Sequence, residues 1–254
     1  MEPQLKGQVA FVTGASGGLG EHFARLLARE GAAVALTARR LDMVEATALA
    51  IEAEGGRAIA LALDVAQAET IGPAMDQAQA ALGPLNILVN NAGVGGEGLA
   101  LDLSVAEFDR TYDVNVRGVF FAAQAAARRM IAAGIEGRIV NVASIASHTV
   151  LPGLSAYCSS KAAVAMLTKG LAREWARKGI AVNAICPGYI ETAINADWWP
   201  TEGGQKQLKG FPRRRLMDAT DLDAPFLMLA GPAARAITGS VITIDDGQSL
   251  PGGG

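Results

Sequence analysis

Short apolar runs alternate along the chain with longer stretches in which apolar residues recur every three or four positions. "QVAFVTG" (8–14), "AAVALTA" (32–38), "AIALALD" (58–64), "NILVNNA" (86–92), "RIVNVAS" (138–144), "IAVNAIC" (180–186) and "SVITIDD" (240–246) read as strands. The intervening segments 18–30, 41–54, 67–82, 104–133 and 156–178 read as helices. The strand runs are continuously apolar, not alternating, so both faces of their sheet must be covered. Strands separated by helices are joined by right-handed crossovers, which makes neighbouring strands parallel. The pattern therefore predicts an α/β fold: a doubly wound parallel sheet of about seven strands with helices on both faces.

One stretch breaks the alternation. Residues 189–216 carry "DWWPTEGGQKQLKGFPRRR", with glycines, prolines and adjacent tryptophans. A loop this long inside a compact domain is usually functional, and a substrate lid is the expectation here. No repeat, low-complexity tract or linker divides the chain, so a single domain over 1–254 is expected.

Composition narrows the functions. Half of the 254 residues are hydrophobic, enough for a sizeable core. Charged residues make up 19%, a low share that suggests further burial between subunits. A net charge of −3 gives no general attraction to nucleic acid. "MEPQLKGQ" has no basic-then-apolar signal pattern, and no apolar run reaches the ~18 residues of a membrane span. Cys158 and Cys186 read as reduced thiols, and a cytoplasmic protein is expected. With two histidines in the chain, a His-rich metal site is excluded and no metal is expected.

"TGASGGLG" (13–20) follows the first strand and opens the first helix. Gly14, Gly17, Gly18 and Gly20 permit a tight turn and a close approach of backbone to ligand, and the helix N-terminus offers free N–H groups to phosphate. The strand–loop–helix context is the one a dinucleotide fingerprint requires; the competing reading is an ordinary glycine-rich turn. NAD binding usually places a carboxylate at the end of the second strand. There the sequence has Ala38, Arg39 and Arg40. An arginine pairs with a 2′-phosphate through a charge-assisted bond of roughly 1.5–3 kcal/mol, so NADP(H) is expected, with NAD(H) the lesser alternative.

"YCSSK" places Tyr157 four residues before Lys161, on one face of a helix with Cβ atoms about 5–6 Å apart. Alone, the pair reads first as a solvated surface pair and only second as an acid tuned by a neighbouring cation. "TGASGGLG", "NNAG" (90–93), Asn115, Ser144 and "YCSSK", in this order, together resemble the short-chain dehydrogenase/reductase family in its one-domain form. The resemblance extends to "LDV" (63–65), "PGYIET" (187–192) and the strand before "DDG", nearly the whole chain. It implies a Rossmann fold. It also implies that Tyr157 is the catalytic acid/base, Lys161 its partner and a ligand of the nicotinamide ribose, Ser144 the donor to the substrate carbonyl, and Asn115 part of a water-borne proton relay. On the cofactor side it implies Ser16 and Leu19 within the glycine loop, Asp64 and Val65 at the adenine, Asn91, Ala92 and Gly93 at the riboses, and Pro187, Gly188, Ile190 and Thr192 at the nicotinamide. NADP-dependent members often carry a basic residue where this chain has Gly17, so Arg39, with Arg40, must serve the 2′-phosphate.

Ketone reduction needs a proton on oxygen as the hydride reaches carbon. A free tyrosine titrates near 10, and a cation about 4 Å away at an effective dielectric near 20 supplies about 4 kcal/mol toward the phenolate. Lys161 is expected to be that cation. The substrate is then a carbonyl compound or its alcohol; a 3-oxoacyl thioester and a hydrophobic cyclic or aryl ketone both suit. The alternatives are an NAD-linked alcohol dehydrogenase and a catalytically idle nucleotide sensor, against which the intact Ser144–Tyr157–Lys161 set argues. His148 reads as a surface-loop residue, His22 as structural and Cys158 as a packed thiol. Trp198 and Trp199 either wall the substrate or meet another subunit. "PRRR" (212–215) either binds an acidic carrier or is solvated or at a subunit contact. The Ala-rich helices around 120–133 and 162–177 are expected to support a homo-oligomer, a tetramer or dimer.

Overall fold

Seven runs of β-branched and small apolar residues cannot be hydrated and also keep their backbone groups paired, so they assemble side by side. In the computed structural model, which describes residues 4–96, 98–192 and 195–250, they form one sheet. The strands are β1 (Val9–Thr13), β2 (Ala33–Ala38), β3 (Arg57–Ala62), β4 (Ile87–Asn90), β5 (Gly137–Val142), β6 (Ile180–Pro187) and β7 (Val241–Ile244). Their order is β3-β2-β1-β4-β5-β6-β7, and every pairing is parallel. This is the doubly wound sheet that the hydrophobic pattern predicted and the Rossmann fold that the resemblance implied.

Alternate residues of each strand enter opposite cores. Val9 and Phe11 pack with Met75, Ala122 and Leu171 from α3 (Ala68–Leu82), α5 (Val119–Ala132) and α6 (Ser155–Trp175). Ala10 and Val12 pack on the other face with Phe23 of α1 (Gly18–Arg29) and Val44 of α2 (Leu41–Ala53). Phe226 of α8 (Asp223–Ala230) closes that face, stacked on Phe23 with ring centroids 4.1 Å apart. The sequence reading left α8 unassigned: at eight residues, with Pro225 inside, it is too short to show a period.

The helix expected over 104–133 is divided. It comprises α4 (Val105–Tyr112), a π-helical turn over Asp113–Gly118 and α5. Such π insertions are rare and collect at functional sites; this one contains Asn115. Ala122, Ala123, Ala126 and Ala127 of α5 are packed against the sheet. The small-residue face expected to meet another subunit there is thus occupied within the chain. Within 189–216 a helix, α7 (Glu202–Gly210), replaces part of the expected loop. No helix among the described residues is long and apolar enough to cross a membrane.

Candidate active site

The chain runs outward from β1 to β3 and then crosses back to β4, so the loops after β1 and β4 part and leave a crevice at their carboxyl ends. The glycine loop occupies one side. Gly14 and Gly18 have φ of 66° and 54°, left-handed values that side-chain-bearing residues disfavour. A Cβ on Gly14 would lie 2.7 Å from the Ala92 Cα, and one on Gly20 would collide with the Gly14 carbonyl. The loop is therefore shaped by backbone contact, and it leaves the N-terminus of α1 without a side-chain cap, as a phosphate cradle requires.

Asn91, assigned to a ribose by resemblance, has its side chain turned to the loop: its Nδ2 donates to the carbonyls of Thr13 (3.2 Å) and Gly14 (3.0 Å). The Asn91 and Ala92 amides both donate to Thr13 Oγ1 at 3.1 Å. Asn91 thus staples β4 to the loop. Leu19 likewise points inward and packs on the core. Arg40 reaches Ser16 Oγ at 3.5 Å, while Arg39 is exposed beside it. Neither arginine has a carboxylate partner among the described residues. Asp64 accepts from the Ala66 amide (3.1 Å), and Val65 is buried, at 3.0 Å from where a Gly118 Cβ would stand.

The other side of the crevice carries the acid–base candidates. Ser144 follows β5 and caps a short 3-10 turn: its Oγ accepts from the Ala146 amide at 3.1 Å. A hydroxyl so held keeps its own proton free to donate. Tyr157, in the first turn of α6, lies within reach of that hydroxyl. Lys161 is buried, with its Nζ 2.9 Å from the Val142 carbonyl and 5.7 Å from the centre of the Tyr157 ring. A Cβ on Gly93 would stand 3.4 Å from both Lys161 Nζ and Asn115 Oδ1, so the absence of a side chain there opens the crevice to the lysine.

The electrostatics differ from the sequence expectation. Burial pushes the Tyr157 phenol above its ordinary value, and the Ser144 hydrogen bond only partly opposes it. Burial also lowers Lys161, to about 8. The lysine was expected to depress the phenol; instead burial drives each group toward its uncharged form, and it outweighs the neighbouring groups that act the other way. Cys186 is pushed up by burial in the same way.

Asn115 is fully buried, and its side chain is committed. Oδ1 accepts from the Val94 amide (2.9 Å), while Nδ2 donates to the Val94 carbonyl (3.0 Å) and Ser160 Oγ (3.0 Å). Ser160 in turn donates to the Tyr157 carbonyl at 2.7 Å. Both amide protons of Asn115 are thus used within the chain. The residue joins α6 to the loop after β4.

Beyond β6, Pro187 is buried at the strand end and pairs with Ile244. The next turn brings Thr192 to 3.7 Å from where a Gly18 Cβ would be, across the crevice. The Ile190 carbonyl and the Thr192 amide are both held by the Asn195 carboxamide, at 2.9 and 2.8 Å. Tyr189 stacks on Phe211 and meets Trp199 edge-on, each pair with centroids 5.5 Å apart. Trp199 is buried inside this cluster, whereas Trp198 is exposed and donates to Gln207 Oε1 at 2.9 Å. Residues 193 and 194 of this segment lie outside the described residues.

Remaining expectations resolve as follows. His148 is exposed in the loop after Ser144, and His22 bonds Asp223 of α8 at 2.5 Å. Cys158 is half-buried and Cys186 buried, both free. Arg213 and Arg215 of "PRRR" are solvent-exposed, as the solvated reading expected, and each also donates to Asp246 at 2.8 Å.

Sequence reading missed a buried polar ladder. Asn90 Nδ2 donates to Asn141 Oδ1 and Asn141 Nδ2 to Thr168 Oγ1, both at 2.9 Å, linking β4, β5 and α6 beneath the site. Lone asparagines inside strand runs were its one visible signal.

The family model for short chain dehydrogenase matches residues 8–203, and the chain belongs to that family. It is 35% identical over 247 residues to the gluconate 5-dehydrogenase of Gluconobacter oxydans (strain 621H), covering 97% of this chain and 96% of the relative. Among solved structures it superposes on a gluconate 5-dehydrogenase from Burkholderia cenocepacia J2315 in complex with NADP and tartrate (TM-score 0.93, 33% identity, 98% of each chain). A short chain dehydrogenase from the same organism, in complex with NADP, gives a TM-score of 0.89 at 38% identity, covering 96% of this chain and 99% of that one.

Proposed function

We propose that this protein is an NADP(H)-dependent oxidoreductase that interconverts a ketone and a secondary alcohol, with Tyr157 as the acid/base. The observation that carries the reading is the pairing of Ser144 and Tyr157 at the crevice edge: two hydroxyls converge there, and the serine's oxygen is already held by the Ala146 amide. The nicotinamide coenzyme supplies a hydride to, or takes one from, the substrate carbon. The residues fit it: a cradle that a Cβ would fill at Gly14 and Gly20, and two unpaired arginines with Ser16 where a 2′-phosphate is read. NADP in the two related structures supports the same choice.

In reduction, Ser144 donates a hydrogen bond to the substrate oxygen as negative charge gathers there, a contribution typically of a few kcal/mol. Tyr157 then gives that oxygen its proton. Because burial keeps the phenol protonated, it stands ready as an acid at neutral pH. In oxidation the phenolate must form first, and Lys161, protonated below about 8, stabilises it with a positive charge. Asn115 aligns Tyr157 through Ser160 and takes part in a water-borne proton relay. Ile190 and Thr192 would hold the coenzyme's carboxamide.

Residues 189–216 serve as the substrate lid. There Tyr189 is partly exposed and is backed by the buried Trp199 and Phe211, an aromatic support that suits a bulky apolar ketone. The names of the gluconate-oxidising relatives favour a second reading, a polyhydroxylated acid. A homo-oligomer is also proposed, now through the exposed Val105, Phe108 and Met166; monomers alone in sedimentation overturn it.

The test is loss of NADPH absorbance with a panel of cyclic, aryl and 3-oxo ketones, and formation of NADPH from NADP+ with gluconate. Turnover that disappears in Tyr157→Phe while NADPH binding persists supports the reading. Binding without turnover across the panel favours a nucleotide sensor, and equal efficiency with NADH removes the NADP assignment.

A further inference from the structure

One five-residue turn, Asp245 to Ser249, holds both ends of segment 189–216. At the first end, the Tyr189 amide donates to Gln248 Oε1 at 2.6 Å, and Gln248 Nε2 returns to the Tyr189 carbonyl at 3.4 Å. At the far end, the same Nε2 contacts the Arg215 carbonyl at 3.3 Å. Asp246 accepts from Arg213 Nη1 and Arg215 Nε, each at 2.8 Å. The two ends also meet directly, the Met217 amide donating to the Tyr189 carbonyl at 3.0 Å.

The turn is built for this. Asp245 accepts from the Gly247 and Ser249 amides at 3.0 and 2.8 Å, which closes the turn. Asp246 takes φ 54°, a left-handed value that few residues but Asn, Asp and Gly adopt readily. Gly188 completes the fit: a Cβ there would run into the Gln248 carboxamide oxygen and come within 2.8 Å of the Asp245 Cα. Gly188 is thus a glycine because Gln248 passes over it.

We propose that Gln248 and Asp246 are positioning residues for the substrate, setting where the lid's aromatic wall stands by clamping its two ends. The inference rests on the ketone–alcohol reading of the site. Gln248 acts through Tyr189, whose ring carries Trp199 and Phe211. Asp246 acts through two arginines whose side chains are 65% and 45% exposed, so its hold is open to screening by salt. None of the clamp's hydrogen bonds involves the glycine loop, Arg39 or Arg40, the groups proposed to hold the coenzyme's phosphates.

The test uses the full chain and its Gln248→Ala, Asp246→Asn and Asp246→Glu variants. In Gln248→Ala the substrate KM rises about tenfold, with kcat and NADPH affinity within about threefold of the parent. The parent KM rises between about 0.05 and 1 M NaCl, where the screening length falls below about 4 Å. Asp246→Asn has the raised KM already at low salt and loses that dependence, and Asp246→Glu restores it in part. Hydrogen exchange of the ligand-free proteins gives a second reading: amides 198–211 exchange at least about fivefold faster in Gln248→Ala and Asp246→Asn, while β1 and β4 exchange as in the parent. Unchanged exchange over 198–211 in both variants overturns the clamp, and so does a KM that does not move. A parent with no turnover on any substrate overturns the catalytic reading instead, and the exchange rates alone then decide the clamp.

Discussion

Lys161 packs against the ring of Tyr157, its Nζ 5.7 Å from the ring centre and bonded to the Val142 carbonyl. Charging this buried amine in the ligand-free protein is unfavourable, since its pKa falls from 10.5 to about 8. The unfolded chain binds the proton more tightly, so folding stability rises with pH between about 8 and 10.5 and carries the full penalty below 8. At about 1.4 kcal/mol per unit the penalty is of order 3 kcal/mol. Lys161→Met is therefore expected to melt higher than the parent at pH 7, with the advantage shrinking toward pH 10 as measured by thermal unfolding. An advantage that does not change with pH contradicts this.

The raised phenol predicts opposite pH profiles for the two directions. Reduction needs the protonated Tyr157 and stays level through neutral pH. Oxidation needs the phenolate and climbs as pH rises. Initial rates in both directions between pH 6 and 8, where Lys161 keeps its charge, check this; an oxidation rate that is flat over that range rules it out.

Ser144→Ala removes the hydroxyl whose oxygen rests on the Ala146 amide. The donor acts as charge develops, so kcat is expected to fall about 10²–10³-fold with NADPH binding intact. Steady-state kinetics and a cofactor titration together measure it.

Arg39→Ala and Arg40→Ala are expected to raise the KM for NADPH about tenfold or more and leave that for NADH within about twofold, since a charge-assisted bond is lost from one cofactor alone. Arg40 has the further partner Ser16 at 3.5 Å.

Asn195 holds the Ile190 carbonyl and the Thr192 amide, groups proposed to receive the coenzyme's carboxamide. Binding must then displace it, and Asn195→Ala is expected to tighten NADPH several-fold in a fluorescence titration. Unchanged or weaker binding refutes the competition.

The seven strands were legible because each is a continuous apolar run, and each observed strand lies within two residues of its expected limits. Tyr157, Lys161, Ser144 and the glycine loop were legible as a spaced set, and the fold gathers them around one crevice. What the sequence hid depends on side chains meeting across the chain. Nothing near "PRRR" announces Asp246 some thirty residues on, and Asn91 looks ligand-facing until Thr13 and Gly14 are found beneath it. The direction of the Tyr157 shift was also misjudged, because spacing on a helix reveals proximity but not burial. The π turn at Asn115 left no period to read, since it lengthens one turn inside an otherwise regular helix.

The ladder of Asn90, Asn141 and Thr168 contains no charged group. Its bonds are neither neutralised by acid nor weakened by dissolved ions, so the registry of the tyrosine-bearing helix on the sheet should persist through changes of medium that loosen the arginine-held entrance. Geometry at the reacting atoms and access to them are then governed by separate forces, and an engineer can alter the one without disturbing the other.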